Sequence, residues 1–549
     1  MSDLAALIDE MLEEEFELSP VTASALGLTE YDAGMDDVSA EGFAERDRDA
    51  ADFLARFGTI GDGALGADER IDRDLAIATL RGRLVMAEWL GWRRDPLTYS
   101  GPAINGIFLL FLHRLRPDQD LVDAATSRLA QVPGVFDHGR ANLDPALAHP
   151  VLIERGAGSA RAAARYLREY LPDETRDAEL SERLRSAGAR AAEAFEDWAR
   201  FLDGFRARAR GSWVFGEERY SRILLEREAL GMDARTLRER GQAEFDRLDA
   251  EMSALALRIG GTSDWHEVIE GSMADHPITE EAMRQAYEVW TARSRDFLAR
   301  EGLVTLPDDE ECLVEPSPLF QRPVLGVASY MAPPAFSDSL TGHFFVPFAP
   351  DGTSDEEIDK RLSSNSHPSI PAVSVHEAYP GHHWHLVMRR LHASRLRKVI
   401  STPYFNEGWA LYAERMMRER GFFDEPMVQL NQLESSIFRA LRIVVDTSLH
   451  MGEMTFDEAV ERMHTGLAMS EPTARAEVGR YCAWPTQASS YLTGCLGILD
   501  IRSRWLAARG LGDVPIADLD PGVLREFHDG ITASGSLPIG LAARVMLGE

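Results

Sequence analysis

Pro371-Ala-Val-Ser-Val-His-Glu-Ala-Tyr-Pro-Gly-His-His-Trp-His385 places His376, His382, His383 and His385, four of the chain's 15 histidines, within ten positions. That density points to metal chelation. A neutral imidazole ligates Zn2+ well, and Glu377, beside the first histidine, suits a general base. In the usual HExxH helix the two histidines stand four apart, one turn, so both reach one ion. His376 and His382 are six apart, about 240° round an ideal helix axis, and would face different ways. His376 and His383 share a face but stand about 10 Å apart along the axis, too far for two metal–nitrogen bonds of ~2.1 Å. An undistorted helix therefore does not chelate through this stretch. Pro380-Gly381 supplies the distortion, because Pro removes a helix hydrogen bond and Gly tolerates unusual dihedrals. A two-residue bulge within Ala378–Gly381 would bring His382 to the place of the second HExxH histidine. The bland alternative is a histidine-rich exposed loop.

A second stretch, Tyr404-Phe-Asn-Glu-Gly-Trp-Ala-Leu-Tyr-Ala-Glu414, sets Glu407 25 residues beyond His382. A carboxylate on a following helix is the third ligand that Glu-type zinc peptidases use. Any single Glu on an amphipathic helix is more often just solvated. Paired with the histidine stretch, it completes a ligand set of His376, His382 and Glu407, with His383 as the alternative to His382.

Composition narrows the partners. The chain has 549 residues, with Lys plus Arg 58 against Asp plus Glu 90, for a net charge of −32. Such a charge repels phosphate backbones at a distance, so a nucleic-acid partner is not expected. Cys312, Cys482 and Cys495 are too few and too scattered for a disulfide framework or a cysteine zinc site. The opening MSDLAALIDEMLEEEFELSP is acidic and amphipathic, without the basic and apolar regions of a signal peptide. The longest apolar run, Ile104–Leu112, is about half of a membrane span. A cytoplasmic location with no membrane partner is the expectation; the oligomeric state is not legible.

Helical periodicity dominates. Apolar residues recur at three- and four-residue spacing over 2–17, 68–92, 158–168, 176–209 and 233–259. In the last of these Leu237, Phe245, Leu248, Met252, Leu255 and Leu257 fall largely on one stripe. Helix starts are signalled at Thr279-Glu-Glu-Ala, Thr455-Phe-Asp-Glu and Glu471-Pro-Thr. Asp308–Ile370, with eight prolines, reads as a loop-rich connector. Within it Gly342-His-Phe-Phe-Val-Pro-Phe348 is the best strand; its Pro predicts a sheet edge, either to pair with an extended peptide substrate or as an ordinary cleft-wall strand. The expected fold is mainly α with a small edge β-sheet.

HEAYPGHH (376–383), NEGWALYAE (406–414) and Arg480-Tyr-Cys-Ala-Trp-Pro-Thr-Gln-Ala-Ser-Ser-Tyr-Leu-Thr-Gly494 resemble the bacterial domain-of-unknown-function family 885 (DUF885), grouped with the HExxH metallopeptidase clan. The resemblance extends to Ser19–Tyr31, Arg128–Leu143, Gly216–Tyr220 and Arg439–His450. It implies one family-wide unit over 1–549: a large helical zincin-like fold with a deep cleft, a helical N-terminal lobe over roughly 1–260 and a metal-bearing half over roughly 261–549. Aligning its Gly-His with that of the ordinary motif favours His382 over His383. Two departures stand out. The family pattern has Arg-Pro-Gly where this chain has Leu340-Thr-Gly342, and Ser-Tyr-Lys where it has Ser490-Tyr-Leu492. Each removes a cation that could meet a substrate carboxylate.

Other residues have two readings each. Arg442, Asp446 and His450 share a helix face, as support for the metal or as a structural network. Tyr491 would donate to a developing oxyanion, as would His450, or else be a buried phenol bonded to backbone. The expected activity is zinc-dependent hydrolysis of peptide or peptide-like amide bonds in short substrates, with Glu377 as base. The alternatives are a metal-dependent amidase of a small specialised metabolite and a catalytically silent binding protein of zincin fold.

Overall fold

The computed structural model describes residues 3–319, 321–322, 327–350 and 352–549. Helix accounts for 69% of the chain, with one three-stranded sheet, so the fold is mainly α. Among the described residues no helix is long and apolar enough to cross a membrane.

The chain packs as two units. One comprises Met1–Trp213, Pro318–Val324 and Pro333–Ser339. Its long helices Asp118–Asn142, Pro150–Glu169 and Ala178–Arg206 pack around Trp198, whose ring stacks on Phe136 at 5.2 Å. Arg128 is buried there, its guanidinium donating to the carbonyls of Gly34 (2.9 Å), Tyr31 (3.2 Å) and Gly106. A buried cation is tolerable because backbone carbonyls take its N–H groups.

The second unit comprises Val214–Ser317, Leu325–Ala332 and Leu340–Glu549. The division falls at Trp213, ahead of the boundary near 260 drawn from the sequence, because Ala234–Gly260 packs along Pro426–His450. Its stripe of Leu237, Phe245, Leu248, Met252 and Leu255 is buried as expected; Leu257 lies off the stripe and is exposed. Gly241 permits the close approach, since a Cβ there would stand 2.5 Å from Ile443 Cγ2. The helices Pro403–Glu419 and Ser490–Ala507 cross still more tightly. A Cβ on Gly494 would lie 1.7 Å from the Tyr404 carbonyl oxygen, and one on Gly408 would lie 2.5 Å from the Gly494 carbonyl carbon. Thr279, Thr455 and Ser470 cap their helices through side-chain oxygens.

The strand expectation needs correction. The sheet order is β1 (Glu311–Pro316), β3 (Thr341–Val346), β2 (Ser329–Met331), with β3 parallel to β1 and antiparallel to β2. β3 is thus the central strand, not an edge, and neither of its sides is free for an extended peptide. The reason is visible in its residues: Phe344, Phe345 and Val346 form a consecutive buried run, and Pro347 lies just beyond the paired residues.

Candidate metal centre

Pro371 starts a helix that runs Ile370–Glu377 and presents His376 and Glu377 in its last turn. The helix stops at Ala378, whose φ of −112° and ψ of −86° leave the helical region. The next helix, His382–Arg390, begins on the second histidine. Between them the backbone makes a wide turn: the Gly381 N–H donates to Val375 (3.1 Å) and the Trp384 N–H to Ala378 (3.3 Å). Each bond reaches back six residues instead of four. The interruption is thus a full break in the helix, at the residues where the sequence requires a distortion. From the facing helix Pro403–Glu419, the Trp409 indole N–H donates to the Pro380 carbonyl (2.7 Å) and pins the turn.

Gly381 has no room for a side chain. A Cβ there would come within 1.9 Å of the His376 carbonyl oxygen and 2.2 Å of the Val375 one. Gly381→Ala must therefore push the two helix ends apart and separate His376 from His382. The expected result is a lower thermal midpoint together with reduced zinc per chain, by several kcal/mol of strain on the scale of overpacked sites (roughly 1–3 kcal/mol or more). Wild-type values for both in the purified variant would show that the turn does not set the ligand spacing.

The break brings His376, His382 and Glu407 together, with one ligand atom from each all within 4.8 Å. Glu407 Oε2 lies 3.3 Å from His382 Nε2 and 3.6 Å from His376 Nε2. Two ligands on a tetrahedral ion with bonds of ~2.1 Å stand about 3.4 Å apart, so these spacings suit zinc. The two imidazoles are perpendicular, with centroids 4.8 Å apart. His376 Nδ1 meets Glu414 Oε1 at 2.8 Å, which holds a proton on Nδ1 and turns Nε2 towards Glu407 as the nitrogen available to a metal. The other Glu414 oxygen accepts from Ser435 Oγ (3.0 Å). Glu414 lies within NEGWALYAE, yet the sequence reading assigned it no role. Its signal was there: seven residues past Glu407, two helical turns on, it lies on the same face.

Electrostatics agree with a cation site. Burial would lower the His376 pKa, but Glu407, Glu414 and Glu377 more than offset this and raise it to about 9. Burial alone would raise the Glu407 carboxyl; His382 and His376 instead hold it far below its usual range. The cluster thus attracts positive charge strongly. Glu377, 8% exposed, has its carboxyl pushed up by burial, against the pull of His376, His382 and Arg439.

Glu414→Gln keeps the shape but removes the charge behind His376. Zinc affinity should fall roughly ten- to a hundredfold, as read by competition with a chromogenic chelator. Unchanged affinity would mean that Glu414 does not support the ligand.

The remaining expected residues go elsewhere or only near. His383 points away from the group: Nδ1 meets the Tyr330 hydroxyl (2.9 Å) and Nε2 meets Glu310 (2.6 Å), which also accepts from Tyr379 and Arg295. Gly342 of β3 makes this packing feasible, since a Cβ there would lie 1.9 Å from the Tyr330 hydroxyl oxygen. His385 is buried against Ser536 (3.0 Å), and burial holds it neutral. His450, fully buried, donates through Nε2 to the Tyr481 carbonyl (3.0 Å) and lies 3.7 Å from Asp446, which accepts from the Tyr220 hydroxyl (2.6 Å). That is a buried network, not a donor facing the three ligands. Tyr491 stands closer: burial and then the Glu407 charge raise its phenol pKa, so it stays a donor. Its hydroxyl accepts from Gln487 (3.3 Å), and the Arg442 guanidinium lies 4.8 Å from its ring centre.

Fold and site together define a helical protein in which a broken HE–GH helix pair and a carboxylate helix converge on one point. The chain belongs to the family described as bacterial protein of unknown function (DUF885), whose sequence model matches residues 20–546. Two solved structures share the fold. One, described as a "putative lipoprotein of unknown function" from Shewanella oneidensis, is 20% identical over 100% of both chains, with a TM-score of 0.78. The other, a "putative lipoprotein" from Colwellia psychrerythraea, is 18% identical over 99% of this chain and 98% of that one, with a TM-score of 0.76. No curated protein matches the chain.

Proposed function

We propose that this protein is a zinc-dependent hydrolase of peptide or peptide-like amide bonds in short substrates. The observation that carries the proposal is the convergence of His376, His382 and Glu407 within 4.8 Å, with Glu414 orienting His376 from behind. The set matches the two-histidine, one-glutamate ligation of catalytic zinc sites, which leave a position open for water or substrate. A zinc ion held there would polarise both a water molecule and the scissile carbonyl.

This chain's own residues then divide the work. Glu377 follows His376 directly and is almost wholly buried, so its carboxylate takes the proton of the attacking water and delivers it to the leaving nitrogen. Tyr491, kept protonated, donates to the oxygen on which negative charge develops. His450 is dropped from that role, since its Nε2 is already committed to the Tyr481 carbonyl. The strong negative charge of the chain weighs against polyanionic substrates.

Plasma emission on protein purified without chelator tests the proposal directly. About one zinc per chain is expected, and less than about 0.2 would sink the reading at the affinity usual for such sites. A screen of short peptides with free and blocked termini then tests the hydrolysis.

A further inference from the structure

Arg439 is a cation with three of its five N–H donors idle. On the helix Pro426–His450, its Nη1 donates to the carbonyl (2.9 Å) and the hydroxyl (2.5 Å) of Ser435. Nε is buried and has no hydrogen-bond partner. Nη2 makes no hydrogen bond, and no carboxylate forms an ion pair with the side chain, among the described residues. Glu377 and Glu434 feel its charge only at longer range. The neighbouring arginines differ: Arg442 and Arg480 both pair with Glu477, at 3.0 and 2.9 Å.

The idle donors share one edge. Nε and Nη2 lie side by side on the guanidinium, and that edge takes the two oxygens of a carboxylate in parallel. A buried charged N–H without an acceptor is costly, and such exceptions call for an explanation. The position supplies one. Ser435, which Arg439 holds, bonds the same Glu414 that orients His376. The guanidinium lies 5.8 Å from the Tyr491 ring centre and 5.5 Å from that of Phe438. Arg439 therefore stands beside the proposed reaction centre with its fork unused.

We propose that Arg439 binds a free carboxylate of the substrate through its Nε–Nη2 edge, which makes the substrates short peptides or amides carrying an acid group near the scissile bond. The bond that is cleaved rests on the hydrolase reading; the binding of the carboxylate does not.

Calorimetric titration with N-acetyl-glycyl-glycine and with its C-terminal carboxamide tests this on both the zinc-loaded and the zinc-free full chain. The wild type should bind the acid about tenfold or more tightly than the amide in both forms, as a charge-assisted pair predicts. Arg439→Met should abolish the preference, and Arg439→Lys, with charge but no fork, should retain only part of it. Circular dichroism checks that both variants fold; if the Met variant does not, the Lys variant decides. Equal binding of acid and amide, no measurable binding of the acid, or a preference undiminished in the variants would each overturn the assignment. A preference for the acid in a wild-type chain that takes up no zinc even when zinc is supplied would uphold the carboxylate site and overturn the hydrolase reading instead.

Discussion

Glu377→Gln should leave zinc at its wild-type content and the fold intact, while turnover of any confirmed substrate falls by about a hundredfold or more. The amide matches the carboxylate in shape, so packing around this 8% exposed side chain is preserved. His376, His382 and Glu407 are untouched, so the ligand group stays within its 4.8 Å. Only the capacity to accept a proton is lost. The environment of Glu377 sharpens the expectation, because burial raises its carboxyl while the two histidines and Arg439 restrain the rise. The carboxylate accepts a proton; its amide cannot. Stopped-flow or discontinuous assays on the purified variant, with zinc measured on the same sample, would decide the matter. A variant that keeps more than about a tenth of wild-type turnover shows that the proton goes elsewhere.

The second large effect is on metal content. Alanine at His376, His382 or Glu407 should take zinc from about one per chain to below about 0.2, since a three-ligand site loses most of its affinity with one ligand gone. His383→Ala and His385→Ala should keep it. Both ring nitrogens of His383 are engaged by Tyr330 and Glu310, and His385, held at Nε2 by Ser536, is not among the converging ligands. These two variants should instead lose stability, because Glu310 and Ser536 forfeit buried partners. Zinc retained by His382→Ala and lost from His383→Ala would reverse the assignment and place the turn one residue away.

Much of this was legible in the chain, and the reason is periodicity. Leu237 to Leu255 recur at the spacing of one helix face, and that face is buried. The six-residue gap between His376 and His382 demanded a distortion by helix geometry alone, and the helix does break at Ala378–Gly381. Such arguments are local: each uses residues a few positions apart.

What tertiary structure decided depends on residues far apart in sequence. Pro347 suggested that its strand lay at an edge, but β1 and β2 arrive from 311–316 and 329–331 to pair with both sides of β3. His383 is turned from the ion group by Glu310 and Tyr330, over fifty positions away. His450 faces a carbonyl from another helix, and Glu414 becomes the support of His376 because two helices meet there. Nothing in the sequence singles out Arg439; its buried, unpartnered Nε is visible only in three dimensions. The sequence by itself determined the helices, the interruption and the residue types able to hold a metal. Only the tertiary structure decided which nitrogen of each histidine faces the others and that the buried Nε of Arg439 has no acceptor among the described residues, because both are settled by contacts that no short-range pattern encodes.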